Sequence, residues 1–104
     1  LLTGTRDSVP FLSDQSTESR RAVFSALPSG NAYKLVLHNA THSAFTDRSR
    51  RNDPPPNPKH HRAIEAITTA FWDAYLQGNE EAANWLRNGG AKAILDTQDS
   101  WQSK

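Results

Sequence analysis

Tyr33-Lys34-Leu35-Val36-Leu37-His38 is the segment on which the fold turns. An aromatic residue, a β-branched residue and two leucines lie between Gly30 and Asn39, and that pattern reads as a buried β-strand. Upstream, Leu1-Leu2-Thr3-Gly4 is short and apolar and turns at glycine, which suits the end of a second buried strand. Thr5-Arg6-Asp7-Ser8-Val9-Pro10 follows as a polar loop closed by proline. A helix is predicted over about 16–27, with Ser13 or Asp14 as cap and Glu18 in the first turn. Val23, Phe24 and Leu27 share its apolar face, and Pro28 stops it before the turn Ser29-Gly30-Asn31. Strand, helix, strand makes a βαβ unit, which implies parallel pairing and a right-handed crossover.

Beyond the strand, residues 39–59 read as irregular. Asp53-Pro54-Pro55-Pro56-Asn57-Pro58 places four prolines in five positions, which excludes helix and central strand. Residues 60–77 carry the strongest helical pattern, with Ile64, Ile67, Phe71 and Ala74/Tyr75 on one stripe as core. Gly78-Asn79 ends it. A short helix follows over 79–87, capped by Asn79, with Glu80 and Glu81 in its first turn and Trp85 and Leu86 as its apolar residues. Gly89-Gly90 breaks the chain again, Ala91–Leu95 suits a further turn or two, and the tail to Lys104 is polar except for Trp101. The expectation is an α/β fold: one partial domain over 1–104, two parallel strands plus helices, with 78–104 as a helical tail. Parallel strands are covered on both faces and need neighbours, so the pair reads as one edge of a larger sheet.

Composition narrows the function. The chain has 104 residues, 12 Lys+Arg against 11 Asp+Glu, and no cysteine. A disulfide scaffold, a cysteine zinc site, a cysteine nucleophile and an iron–sulfur cluster are excluded by the missing thiol. A net charge of +1 provides no field that calls for nucleic acid or an acidic membrane. No apolar run approaches the roughly 20 residues of a membrane span. The hydrophobic fraction of 36% is low for a complete domain. With no initiator methionine and a start that reads as mid-strand, the chain is expected to be a piece of a longer protein. Its compartment is left open, since absent cysteine suits oxidising and reducing surroundings alike.

In open α/β sheets chemistry sits at the carboxyl ends of the strands. Asp7 follows the first strand, and His42, then Phe45, follow the second. A βαβ unit brings two such strand exits side by side. A carboxylate on one imidazole nitrogen fixes the tautomer and leaves the other nitrogen as a base, which is what a serine hydroxyl needs to become a nucleophile.

These residues resemble a known family. Leu-Leu-Thr-Gly-Thr-Arg-Asp (1–7), Tyr-Lys-Leu-Val-Leu-His-Asn-Ala-Thr-His-Ser-Ala-Phe (33–45) and the amphipathic helix after them are similar to the C-terminal third of an α/β-hydrolase. The likeness is to the dienelactone-hydrolase and acetylhydrolase-like esterase branch, over roughly 1–77. It implies Asp7 as the catalytic acid, after a Gly-x-x-Asp strand end, and His42 as the catalytic histidine, with Phe45 as the aromatic that follows it. The triad order of that fold is Ser, acid, His. No Gly-x-Ser-x-Gly occurs among glycines 4, 30, 78, 89 and 90, so serine and oxyanion hole are expected upstream and the isolated chain is expected to be inactive. The implied substrate is a small-molecule carboxylic ester and the implied partner is the rest of the parent hydrolase chain, with no cofactor, no metal, no nucleic acid and no membrane. The alternative is a non-catalytic α/β interaction module or a hydrolase relative that has lost catalysis.

Other candidates have plainer readings. His38 competes with His42 as base but lies within the strand, where a packed side chain is expected. His60-His61 are adjacent at a helix start and point to different faces, against a metal site. Arg48, Arg50 and Arg51 read as a solvated loop, and loop 46–58 as a border of the site. Trp72, Trp85 and Trp101 read as packing of the C-terminal helices rather than ligand contacts.

Overall fold

The computed structural model describes residues 1–8, 16–48 and 50–104. In chain order the elements are β1 (Leu2–Arg6), α1 (Thr17–Ala26), β2 (Tyr33–Thr41), a 3-10 helix (His42–Phe45), α2 (Pro58–Leu76), α3 (Glu80–Arg87), α4 (Gly90–Ala93) and β3 (Ser100–Ser103). The fold is mixed α/β. Its sheet has the order β1-β2-β3, with β1 parallel and β3 antiparallel to β2.

The helix starts follow local capping chemistry. Ser16 caps α1 by accepting from the Ser19 N–H at 3.1 Å; Ser13 and Asp14, the caps expected from sequence, lie outside the described residues. Asn57 caps α2, with Pro58 in the first turn, where its missing N–H costs nothing. The helix therefore starts at the last proline of the run that was read as helix-forbidding loop. Asn79 caps α3 through the Ala82 N–H at 3.1 Å.

β2 carries the core. Leu35 and Leu37 have no exposed surface and join Tyr33, Ala40, Ala63, Ile67, Leu86 and Ala91 in one cluster. Ile64 and Phe71 pack against that cluster while partly exposed. Phe24 of α1 is buried, with Lys34 and Lys104 ammonium groups over its ring at 5.1 and 4.8 Å. Val23 and Leu27, expected to share its buried face, are 51% and 40% exposed.

Two sequence expectations are corrected. The tail is not wholly helical: Ser100–Ser103 adds a third, antiparallel strand beside β2, so the sheet is mixed rather than a parallel pair. Trp101 stacks on Tyr33 at 5.5 Å and donates its indole N–H to the Leu86 carbonyl at 3.0 Å, which ties that strand down. Trp72, expected to be packed, is instead 55% exposed and edge-on to Phe71.

β2 also runs past Asn39, its expected boundary, and is irregular there. The register is Leu2↔Leu35, Thr3↔Val36, Gly4↔Leu37, then Arg6↔Thr41. Two steps along β1 match four along β2, and Asn39 takes a left-handed φ of 60°. This is a bulge in a parallel pair, an uncommon setting for one.

Candidate active site

β1 and β2 end together, and the site lies at that end. Asp7 leaves β1 through a tight turn in which its N–H bonds the Gly4 carbonyl at 3.2 Å. Its carboxylate is buried, with 3% of the residue exposed. Oδ2 accepts from the Thr3 hydroxyl at 2.9 Å, a buried bond. Oδ1 accepts from His42 Nδ1 at 2.9 Å, and the Arg20 guanidinium of α1 approaches the same oxygen at 3.7 Å. A buried carboxylate without such partners would be costly, and these three groups compensate it.

His42 is the first residue of the 3-10 helix, directly after β2. A carboxylate only accepts, so Nδ1 carries a proton, and in the neutral ring Nε2 keeps its lone pair. The side chain is 43% exposed, which leaves the ring open to an incoming group. The arrangement joins an open imidazole to a buried orienting carboxylate. It can take a proton from a hydroxyl and hand it to a leaving group, provided that a nucleophile is brought to Nε2.

An open hollow of about 530 Å³ lies beside His42, a size that suits a small molecule. Arg6, Glu18, Ser43, Arg50 and Asp53 are among the residues that line it. Loop 46–58 therefore borders the site through Arg50 and Asp53. The Asp53 carboxylate accepts from the Ser43 hydroxyl and the Arg50 N–H, and these bonds, with the nearby Arg50 charge, hold its pKa below the usual value. A more apolar hollow lies at the opposite end of the strands, against Leu2, Tyr33, Phe71 and Trp72, away from both Asp7 and His42.

His38 is not at the rim. Its backbone is bonded on both sides, N–H to Asp99 and C=O to His60. His60 is buried, His61 is exposed, and no cluster of three metal-ligating side chains occurs among the described residues. No helix among those residues is long and apolar enough to cross a membrane.

Sequence reasoning missed Thr3 and Arg20. Thr3 had a faint signal: a hydroxyl residue four positions before Asp7 in a strand otherwise read as apolar. Arg20 had none, because its position depends on how α1 crosses β1. No protein-family model, curated protein or solved structure matches the chain.

Proposed function

We propose that this chain is the acid-and-histidine segment of a serine hydrolase acting on carboxylic esters, the C-terminal edge of an α/β-hydrolase sheet of the dienelactone-hydrolase-like branch. The observation that carries the reading is the 2.9 Å bond from His42 Nδ1 to the buried Asp7 carboxylate, at the shared carboxyl ends of two parallel strands.

In this reaction the serine is supplied by residues outside the 104. His42 Nε2 takes the hydroxyl proton as the serine oxygen attacks the ester carbonyl. Asp7 holds the imidazole in the Nδ1–H tautomer and stabilises the imidazolium that forms. The proton then passes to the departing alkoxide, which leaves as the alcohol and leaves an acyl-serine. Water, deprotonated by the same nitrogen, releases the acid and restores the serine. Arg6, Glu18 and Arg50 give the hollow beside His42 charges of both signs, which suits a polar ester on that side.

The test is covalent labelling. The protein extended upstream of Leu1 through its reading frame is treated with a fluorophosphonate, which reacts only with an activated serine. Labelling that disappears in H42A and D7A supports the proposal. Labelling unchanged in both variants, or none in the extended protein, counts against it and favours the non-catalytic interaction module.

A further inference from the structure

The bulge in β2 determines whether His42 meets Asp7 at all. Had the register Gly4↔Leu37 continued unbroken, Ala40 would stand opposite Asp7. His42 would lie two residues further on, roughly 6.6 Å beyond the carboxylate at about 3.3 Å per residue. The observed register, Arg6↔Thr41, draws it back to the level of Asp7. The two additional residues of β2 are taken up between His38 and Ala40.

A bulge leaves backbone groups outside the ladder, and here side chains from three other elements satisfy them. The Asn39 N–H donates to the Thr5 hydroxyl of β1 at 2.8 Å. The His38 N–H donates to Asp99 Oδ1 at 2.8 Å. The His38 carbonyl accepts from His60 Nε2 of α2 at 3.0 Å. His60 is buried, and Asp99 is itself fixed by accepting the Asp96 N–H on Oδ2 at 3.0 Å. The side-chain hydrogen bonds of His60 and Asp99 go to the His38 and Asp96 backbone, and those of Asp7 and His42 do not involve them.

We infer that His60 and Asp99 are positioning residues for His42: they clamp the two peptide groups that flank the His38 Cα and so hold the bulge that sets the His42–Asp7 bond. This rests on the proposed roles of Asp7 and His42, and adds to the site two residues from α2 and from the turn before β3. The clamp also explains why His60 is buried beside an exposed His61.

The experiment uses the chain as it stands. The His42 Nδ1–H proton, bonded to a carboxylate, gives a downfield imidazole resonance in proton NMR at low temperature, assigned by its loss in D7N. In H60L and in D99L this resonance is expected to disappear while the amide signals of Leu86 and Ala91, in the core, keep their positions. H60Q, which retains a donor at the position of Nε2, and D99N, which retains an acceptor, are expected to restore it. Asp99 is partly exposed and outside the core, so the D99L and D99N pair decides even if H60L fails to fold. A resonance that persists unshifted in D99L overturns the clamp. Because the signal reports the bond and not turnover, that result leaves the ester-hydrolysis reading standing, whereas an upheld clamp in an ester-inert protein overturns only that reading.

Discussion

A Cβ on residue 4 would stand 2.0 Å from the carbonyl oxygen of Ala40, so Gly4 and Ala40 meet backbone to backbone where β2 bulges. No L side chain fits without moving one strand from the other. G4A is therefore expected to destabilise the fold by about 3 kcal/mol, at the upper end of overpacking costs, as read by urea unfolding. The second substitution A40G does not rescue it, because the clash is with the Ala40 backbone. An unchanged midpoint for G4A would mean that the strands are not in this contact.

Thr3 tests how Asp7 is held. T3V keeps the shape and removes the hydroxyl that donates to Oδ2. A buried charged acceptor then loses a partner, and a loss of about 1–3 kcal/mol is expected in urea unfolding. T3S keeps the donor and is expected to retain most of that stability. Equal stability in T3V and the parent chain would show that Oδ2 does not depend on this bond.

Tyr33 gives an alkaline prediction. Burial, and then the hydrogen bond with Tyr75, raise its pKa, partly opposed by Arg87. The folded-state value lies above the unfolded one of about 10, so folding favours the protonated phenol. Its contribution is fully present below about pH 10 and is lost as pH rises through the raised folded value. The melting temperature should fall over that range, and Y33F should flatten the fall, although it starts lower at neutral pH because the Tyr75 and Arg87 bonds are gone. Parallel profiles for the two proteins would exclude Tyr33 as the source.

Much of the fold was legible in local pattern. The run Tyr33–His38 named the central strand because both its faces are buried, and Asn79 with Glu80 and Glu81 marked the start of α3. β3 was not legible: Ser100-Trp101-Gln102-Ser103 is four residues with one apolar side chain, and it becomes a strand only by pairing with β2 and stacking Trp101 on Tyr33. The bulge was hidden for a related reason. Asn39 resembles a turn residue, and in a left-handed conformation it interrupts the ladder without ending the strand. The meeting of Asp7 and His42 was legible because strand exits can be located by sequence order. Thr3, Arg20, His60 and Asp99 were not, since their partners lie on other elements and no spacing records the meeting.

Asp53 joins the loop to the 3-10 helix that carries His42. Hydrogen bonds from Ser43 and the Arg50 N–H depress its pKa, so its contribution is present above the unfolded value and is lost as pH falls through the depressed folded one. D53N should speed amide exchange at Arg50 at neutral pH while leaving Leu35 and Leu86 protected. Lowering the pH of the parent chain through the depressed Asp53 value should likewise reduce the protection factor at Arg50, measured against the slower intrinsic exchange of an open amide in acid. Unchanged exchange at Arg50 in D53N would show that the carboxylate does not organise the loop.

The most direct measurement is kcat for p-nitrophenyl acetate in the protein extended upstream of Leu1, where the proposed mechanism puts the serine, compared with D7N and H42A. Each substitution should lower kcat by about 10⁴-fold with KM little changed, since an imidazole in the wrong tautomer or absent cannot take the serine proton. Turnover by both variants at the parental rate would contradict the pairing of Asp7 and His42 as orienting acid and base.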